Sequence, residues 1–141
     1  MWQNKQLRIL CAFSILLMFV AVVMAETQKQ SLISNGTWGG SHIRIDVVEG
    51  SATIDYDCAN GTIPGPLTVN SDGKFDLRGT HNKERGGPIR ADEPPTGYPA
   101  RYKGWTDGKT MTLTVLLPET NEEIGTFKLV RGRVGRVVKC K

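Results

Sequence analysis

Apolar and polar residues alternate with a period of two on both sides of Glu49-Gly50, and this stretch restricts the chain to β-structure. Ile43, Ile45 and Val47 are separated by Arg44 and Asp46, and Ala52, Ile54, Tyr56 and Cys58 by Thr53, Asp55 and Asp57. That pattern belongs to strands with one buried face. A two-residue turn at Glu49-Gly50 pairs Val48 with Ser51, which sets Val47 opposite Ala52, Ile45 opposite Ile54 and Ile43 opposite Tyr56. The other face then carries Arg44 opposite Asp55 and His42 opposite Asp57, complementary charges placed as cross-strand pairs.

The same grammar recurs. Leu67, Val69, Phe75 and Leu77 flank Ser71-Asp72-Gly73, a three-residue loop that predicts Val69 opposite Phe75 and Leu67 opposite Leu77. Asp107-Gly108 predicts a further hairpin with Tyr102 against Leu113 and Ala100 against Val115 inside, and Arg101, Lys103 and Trp105 facing Thr114, Thr112 and Thr110 outside. The stretches from Ile124 to Val130 and from Val134 to Lys139, around Arg131-Gly132, alternate less cleanly, as a bulged pair would. No helical period follows the first 25 residues. The fold class expected is all-β, a small antiparallel up-and-down barrel of about eight strands, with a two-sheet β-sandwich as the alternative.

Residues 1–25 read as a signal peptide: Lys5 and Arg8, then an apolar run from Ile9, then Val23-Met24-Ala25 with small side chains where a signal peptidase cuts. The expectation is secretion or periplasmic export after cleavage; the alternative is an N-terminal membrane anchor, since Ile9 to Ala25 is at the lower length limit for a spanning helix. Residues 26–35 would form a flexible N-terminal segment and 36–141 one β-barrel domain. Cleavage removes Cys11 and leaves Cys58 and Cys140, a pair expected to form a disulfide in an oxidising compartment. The chain-entropy argument assigns such a bond on the order of 4 kcal/mol. Neither cysteine has a second Cys or His at ligand spacing, so no metal and no cofactor is expected.

Charge is mild overall but polarised. After the leader there are 16 basic and 14 acidic residues, yet from Ile124 onward there are six basic residues and no acid. Lys128, Arg131, Arg133, Arg136 and Lys139 would give weak contact with an anionic surface. The competing explanation is an edge strand guarded against aggregation. Few aromatics interleave with these charges, which argues against specific nucleic-acid recognition.

Two features bear on a site. The alternation turns Tyr56, Phe75, Tyr102, Met111 and Leu113 inward, an apolar lining with phenolic hydroxyls; a filled core would use the same residues, and a void near 300 Å³ separates the cases. The segment from His81 to Pro99 holds four of the seven prolines and exceeds ordinary loop length, so it is a candidate lid offering His81, Arg85, Arg90 and Tyr98 to a ligand. A tolerated surface insertion is the plain alternative. Catalytic footing is thin: His42 with Asp57 reads as a solvated strand pair, no nucleophile-elbow, zinc-helix or phosphate-loop pattern occurs, and no enzyme activity is expected. Trp105, predicted outward, is a contact residue unless a loop or the N-terminal segment covers it.

Gly36-Thr37-Trp38 resembles the G-x-W opening of lipocalin and avidin-like (calycin) barrels, in which the Trp plugs the barrel floor. Tyr56-Asp57-Cys58-Ala59-Asn60-Gly61, Ala100-Arg101-Tyr102 and the near-terminal Cys140 are similar in order to elements of secreted lysozyme-inhibitor barrels. Tyr98-Pro99 stands where their inhibitory loop has Ser-Gly, so no inhibitory residue carries over. With Trp38-Gly39-Gly40 and Gly86-Gly87-Pro88 added, the whole looks like an uncharacterised family of small exported bacterial proteins, which brings no function with it. The functional expectation is an exported binding or interaction module for a small apolar or amphipathic ligand. An envelope-surface or protein-partner domain, lysozyme-inhibitor-like, is the alternative, and an enzyme ranks third.

Overall fold

The computed structural model describes residues 29–84 and 97–140. Ten strands run β1 Ser31–Leu32, β2 Gly36–Gly40, β3 Ile43–Val48, β4 Ser51–Tyr56, β5 Ala59–Ile63, β6 Thr68–Val69, β7 Lys74–Lys83, β8 Tyr98–Thr106, β9 Thr110–Leu117 and β10 Glu122–Arg131. Eight close into an antiparallel barrel in the order β10-β2-β3-β4-β5-β7-β8-β9, and β1 pairs with β6 in a separate two-stranded sheet. The barrel is the architecture the alternation predicts. The β3–β4 register is also the predicted one, with Ile43 opposite Tyr56 and Val47 opposite Ala52, all four buried.

Membership of the barrel departs from expectation in three places. Thr68–Val69 does not pair with β7: Asn70 N–H donates to the Lys74 carbonyl (2.9 Å) and closes the turn, but upstream of it β6 lies against Ser31–Leu32. Pro64 and Pro66 lack the donors of a central ladder and steer the chain off the barrel wall, while β7 finds its neighbours in β5 and β8. Val69 and Leu67 are therefore not set opposite Phe75 and Leu77. With Ile33, they are buried as a cap over one end.

The β8–β9 hairpin is shifted by two residues, placing Tyr102 opposite Val115 and Trp105 opposite Thr112. The cause is a wider loop. The Asp107 carboxylate accepts the Lys109 and Thr110 N–H groups (2.8 and 2.6 Å), and the Thr106 hydroxyl donates to the Thr110 carbonyl (2.7 Å), local side-chain bonds that compete with a tight turn. An even shift leaves every side chain on its face, so Ala100, Tyr102, Leu113 and Val115 are buried as predicted.

Finally, residues 134–139 form no strand beside β10. β10 pairs along β9, with a bulge between Glu123 and Gly125, and closes the barrel on β2 through only Val130↔Gly39 and Arg131↔Trp38. The chain beyond it is a strap. Arg136 N–H donates to the Gly40 carbonyl (3.1 Å), His42 N–H to the Arg136 carbonyl (2.8 Å) and Cys58 N–H to the Val138 carbonyl (3.1 Å). Gly135 permits this close crossing, since a Cβ there would stand 2.9 Å from the Arg44 Cβ. Cys140 is disulfide-bonded to Cys58 with Cα atoms 4.8 Å apart. The bond thus joins the β4–β5 turn to the strap, not to a last strand. β10 pairs along its length with β9 but with β2 only at Val130 and Arg131, and Arg133, Arg136 and Lys139 lie beyond it in the strap.

The two barrel ends differ. At one, Trp38, fully buried, lies beneath the β1–β6 cap and donates its indole N–H to the Ser34 carbonyl (3.4 Å); Ser31–Leu32, in the segment expected to precede the domain, supplies half of that cap. At the other, where the Ser41-His42 and Asp57-Cys58 turns lie, the barrel is open.

Candidate functional site

The open end holds a cavity of about 440 Å³, within the ordinary range of small-molecule pockets. Its wall is Tyr56, the last residue of β4, Ala59, the first of β5, His81 of β7, and Ile124 and Phe127 of β10; its rim carries His42, Asp57, Cys58, Lys83 and Glu84. The bulge at Glu123/Gly125 explains how Ile124 and Phe127, three apart, both reach the cavity, since a bulge offsets the strict alternation. Tyr56 packs its ring 5.4 Å from that of His81 and 5.7 Å from that of Phe127, centroid to centroid.

Tyr102 forms the layer beneath. Fully buried, it lies over Gly79, where a Cβ would stand 2.8 Å from its ring, and donates its hydroxyl proton to the Thr80 carbonyl (2.6 Å). Burial pushes this phenol up to about 12. Burial, reinforced by the neighbouring Tyr102, pushes Tyr56 far higher, so both stay protonated. The Tyr102 proton goes to Thr80, and the Tyr56 hydroxyl lies close enough to Tyr102 to influence its titration without reaching full hydrogen-bond geometry.

Two polar atoms of the wall are left over: the Tyr56 hydroxyl and His81 Nδ1 are buried without a hydrogen-bond partner. His81 is only 2% exposed, and burial, with help from the charge on Lys83 and against that on Glu122, holds its imidazole below the usual histidine value. It is neutral at pH 7. An unpaired buried polar atom costs about 1–3 kcal/mol, and folded proteins carry few.

The rim is charged but self-satisfied. The Asp57 carboxylate accepts Val138 N–H (2.7 Å) and meets His42 Nδ1; these contacts, the backbone one foremost, hold its carboxyl below the ordinary range. Lys139 Nζ bridges Asp55 (2.8 Å) and Glu84 (2.7 Å). Lys83 faces Glu122 at 3.9 Å. The register predicts His42 and Asp57 as a cross-strand pair; the structure keeps their side chains in contact but places both residues in turns just beyond β3 and β4, with the strap as a third member.

Of the residues read from sequence as ligand-binding, the structure brings Tyr56 and His81 together at the cavity, with Tyr102 directly beneath. Phe75 and Met111 are buried in the core and do not line the cavity. Tyr98 pairs with His81 across β7 and β8 but is 43% exposed. Arg85 and Arg90, like the expected signal peptide of residues 1–25, lie outside the described residues. His81 itself is not the start of a lid: β7 continues through it to Lys83, and β8 begins at Tyr98. Ala59, Ile124 and Phe127 were not anticipated as lining. Among the described residues no cluster of three or more His, Cys, Asp or Glu side chains could hold a metal ion.

A second hollow, about 380 Å³, lies outside the capped end between β1, the Asn70–Gly73 turn and the 106–108 turn. Trp105 borders it, its indole N–H bonded to the Asp72 carbonyl (2.8 Å). Comparison with protein-family models, curated proteins and solved structures returns no match. The fold and the site are therefore read from this chain alone.

Proposed function

We propose that this protein is an exported binding module that holds a small apolar or amphipathic molecule in the open mouth of its barrel. One observation carries the reading: a cavity of about 440 Å³ is walled by two residues, Tyr56 and His81, that each bury an unpartnered polar atom. A barrel built only for stability would fill this space with apolar side chains, as it does at Phe75 and Met111. Binding fits better than catalysis, because the imidazole at depth stands beside a phenol held protonated, and the rim carboxylates already accept hydrogen bonds from the strap and its lysine. The Cys58–Cys140 bond suits export into an oxidising compartment.

The test is an amide NMR titration of the leaderless protein with a library of small aromatic and aliphatic compounds. Shifts centred on Tyr56, Ala59, His81 and Phe127 are expected. Compounds that bind only elsewhere, or none binding at millimolar concentration, would overturn the proposal. A second reading, a protein- or envelope-partner domain, draws on the other hollow, where Trp105 and Leu32 are 42% and 64% exposed; binding confined to Leu32, Asp72 and Trp105 would favour it.

A further inference from the structure

Resting on that reading, we infer that the Cys58–Cys140 disulfide is a redox switch for the mouth: its reduction by a dithiol lets the strap leave the rim, withdraws Lys139 from Asp55 and Glu84, and turns the mouth toward cationic ligands. The strap holds the rim residue by residue. His42 N–H donates to the Arg136 carbonyl (2.8 Å), Cys58 N–H to the Val138 carbonyl (3.1 Å) and Val138 N–H to the Asp57 carboxylate (2.7 Å), while Lys139 Nζ bridges Glu84 (2.7 Å) and Asp55 (2.8 Å). Cys58 adds the covalent tie and, through its carbonyl, accepts Glu84 N–H (2.8 Å). Among the described residues of the rim, Lys83 alone has no bond to the strap.

Opening the disulfide frees these contacts because little else holds them. Residues 137–140 belong to no strand, and the Asp57 and Lys139 bonds are exposed to water, where such bonds are individually weak. Cys58 stands at φ 54°, a left-handed conformation that a side chain disfavours, so its turn relaxes more readily once the tie is cut. Cys140 is exposed and open to attack by an external thiolate. The dithiol is oxidised to its own disulfide, and its two electrons, with two protons, convert Cys58 and Cys140 to thiols. The electrostatic result is specific. Asp55 and Glu84 lose the cation they share, and Asp57 keeps His42 but loses Val138 N–H. A ligand with a positive end then meets uncompensated carboxylates at the rim, and one with a negative end is repelled.

A matched set of probes decides the matter: naphthylmethylammonium, naphthalenemethanol and naphthoate, titrated at neutral pH and low ionic strength into protein comprising residues 26–141, with and without dithiothreitol, and followed by amide NMR. Reduction is expected to raise the affinity of the ammonium probe and lower that of naphthoate by about threefold each, a shift of about tenfold in their ratio, with the alcohol changed by less than about twofold. Cys58→Ser with Cys140→Ser should reproduce the reduced preference without dithiothreitol. Lys139→Gln with the disulfide intact should show that same preference and respond little to the reductant, which separates the charge from the covalent bond. The same ratio in both redox forms, or an undiminished response in Lys139→Gln, would overturn the inference while leaving the binding module standing. Loss of the β7–β8 amide pattern on reduction would do the same, since the bond would then hold the whole fold and not the mouth alone. If no probe shifts the mouth amides in either form, the binding module itself fails and the switch with it.

Discussion

At the scale of single residues, Tyr56 and His81 each bury a polar atom that has no hydrogen-bond partner. An unpaired buried hydroxyl weakens the empty barrel, so Tyr56→Phe should leave the stability of the ligand-free protein unchanged or raise it by up to about 2 kcal/mol. Urea unfolding measures this; a loss above about 1 kcal/mol would mean that the hydroxyl has a partner after all. His81 adds a pH signature. Its folded value lies below the ordinary 6.5, through burial and Lys83, with Glu122 opposing; the unfolded chain therefore binds the proton more readily. The stability due to neutral His81 is complete above 6.5 and is lost as pH falls through its folded value. Asp57, whose folded value lies below 3.8, acts only in a more acidic window. His81→Leu should therefore reduce the decline just below 6.5 and leave the acid limb in place; an unchanged slope would remove His81 from the account. Tyr56 was legible because the first hairpin fixes its parity. His81 is expected as a ligand contact but on a loop; its place on β7 was hidden behind Gly79, although Phe75, Leu77, Gly79 and His81 continue the period of two, and the prolines beyond it drew the expected loop boundary too early.

Elements were legible where large apolar residues alternate and obscure where the barrel needs small ones. β2 and β5, with sequences GTWGG and ANGTI, carry too little apolar bulk to read as strands. Their glycines are there for room: a Cβ at Gly61 or Gly39 would collide with Tyr102 or the strap. Conversely, Leu67, Val69 and the valines of 134–138 alternate like strands, yet the chain spends them on a cap and a strap. The strand count came out right with two members exchanged for two others. The strap compensates for a short seam. Only two residue pairs join β10 to β2, and the bonds of Arg136 and Val138 to Gly40, His42 and Cys58 extend the closure, pinned by the disulfide. Cys58→Ser with Cys140→Ser is expected to cost about 2–4 kcal/mol. Beyond that global loss, hydrogen exchange should accelerate most at the His42, Cys58 and Arg136 amides and least along β7–β8. Uniform acceleration, or protection retained at those three amides, would show that the strap holds without its covalent anchor.

On the scale of the whole molecule, the barrel has a capped end, an open end and a basic flank over its seam. Backbone contacts gather Lys128, Arg133 and Arg136 around Gly39-Gly40, and Arg131 pairs with Trp38 next to them. Lys139 differs, because Asp55 and Glu84 already neutralise it and raise its pKa. Among the described residues no carboxylate pairs with the other four, so the field reaching solvent comes from them and not from the whole basic run. Such a field extends about 8 Å at about 0.15 M salt, enough for adsorption and too little for tight binding. Protein comprising residues 26–141 should co-sediment with anionic vesicles at low ionic strength, release as salt rises, and ignore neutral vesicles. Arg133→Gln with Arg136→Gln should abolish most of that adsorption. Lys139→Gln should leave adsorption intact and instead loosen the strap, since its charge is spent inside the protein. If the two changes weaken vesicle binding equally, the rim ion pairs do not sequester Lys139; if neutral vesicles bind as well as anionic ones, or neither binds at low salt, the flank is not an electrostatic surface.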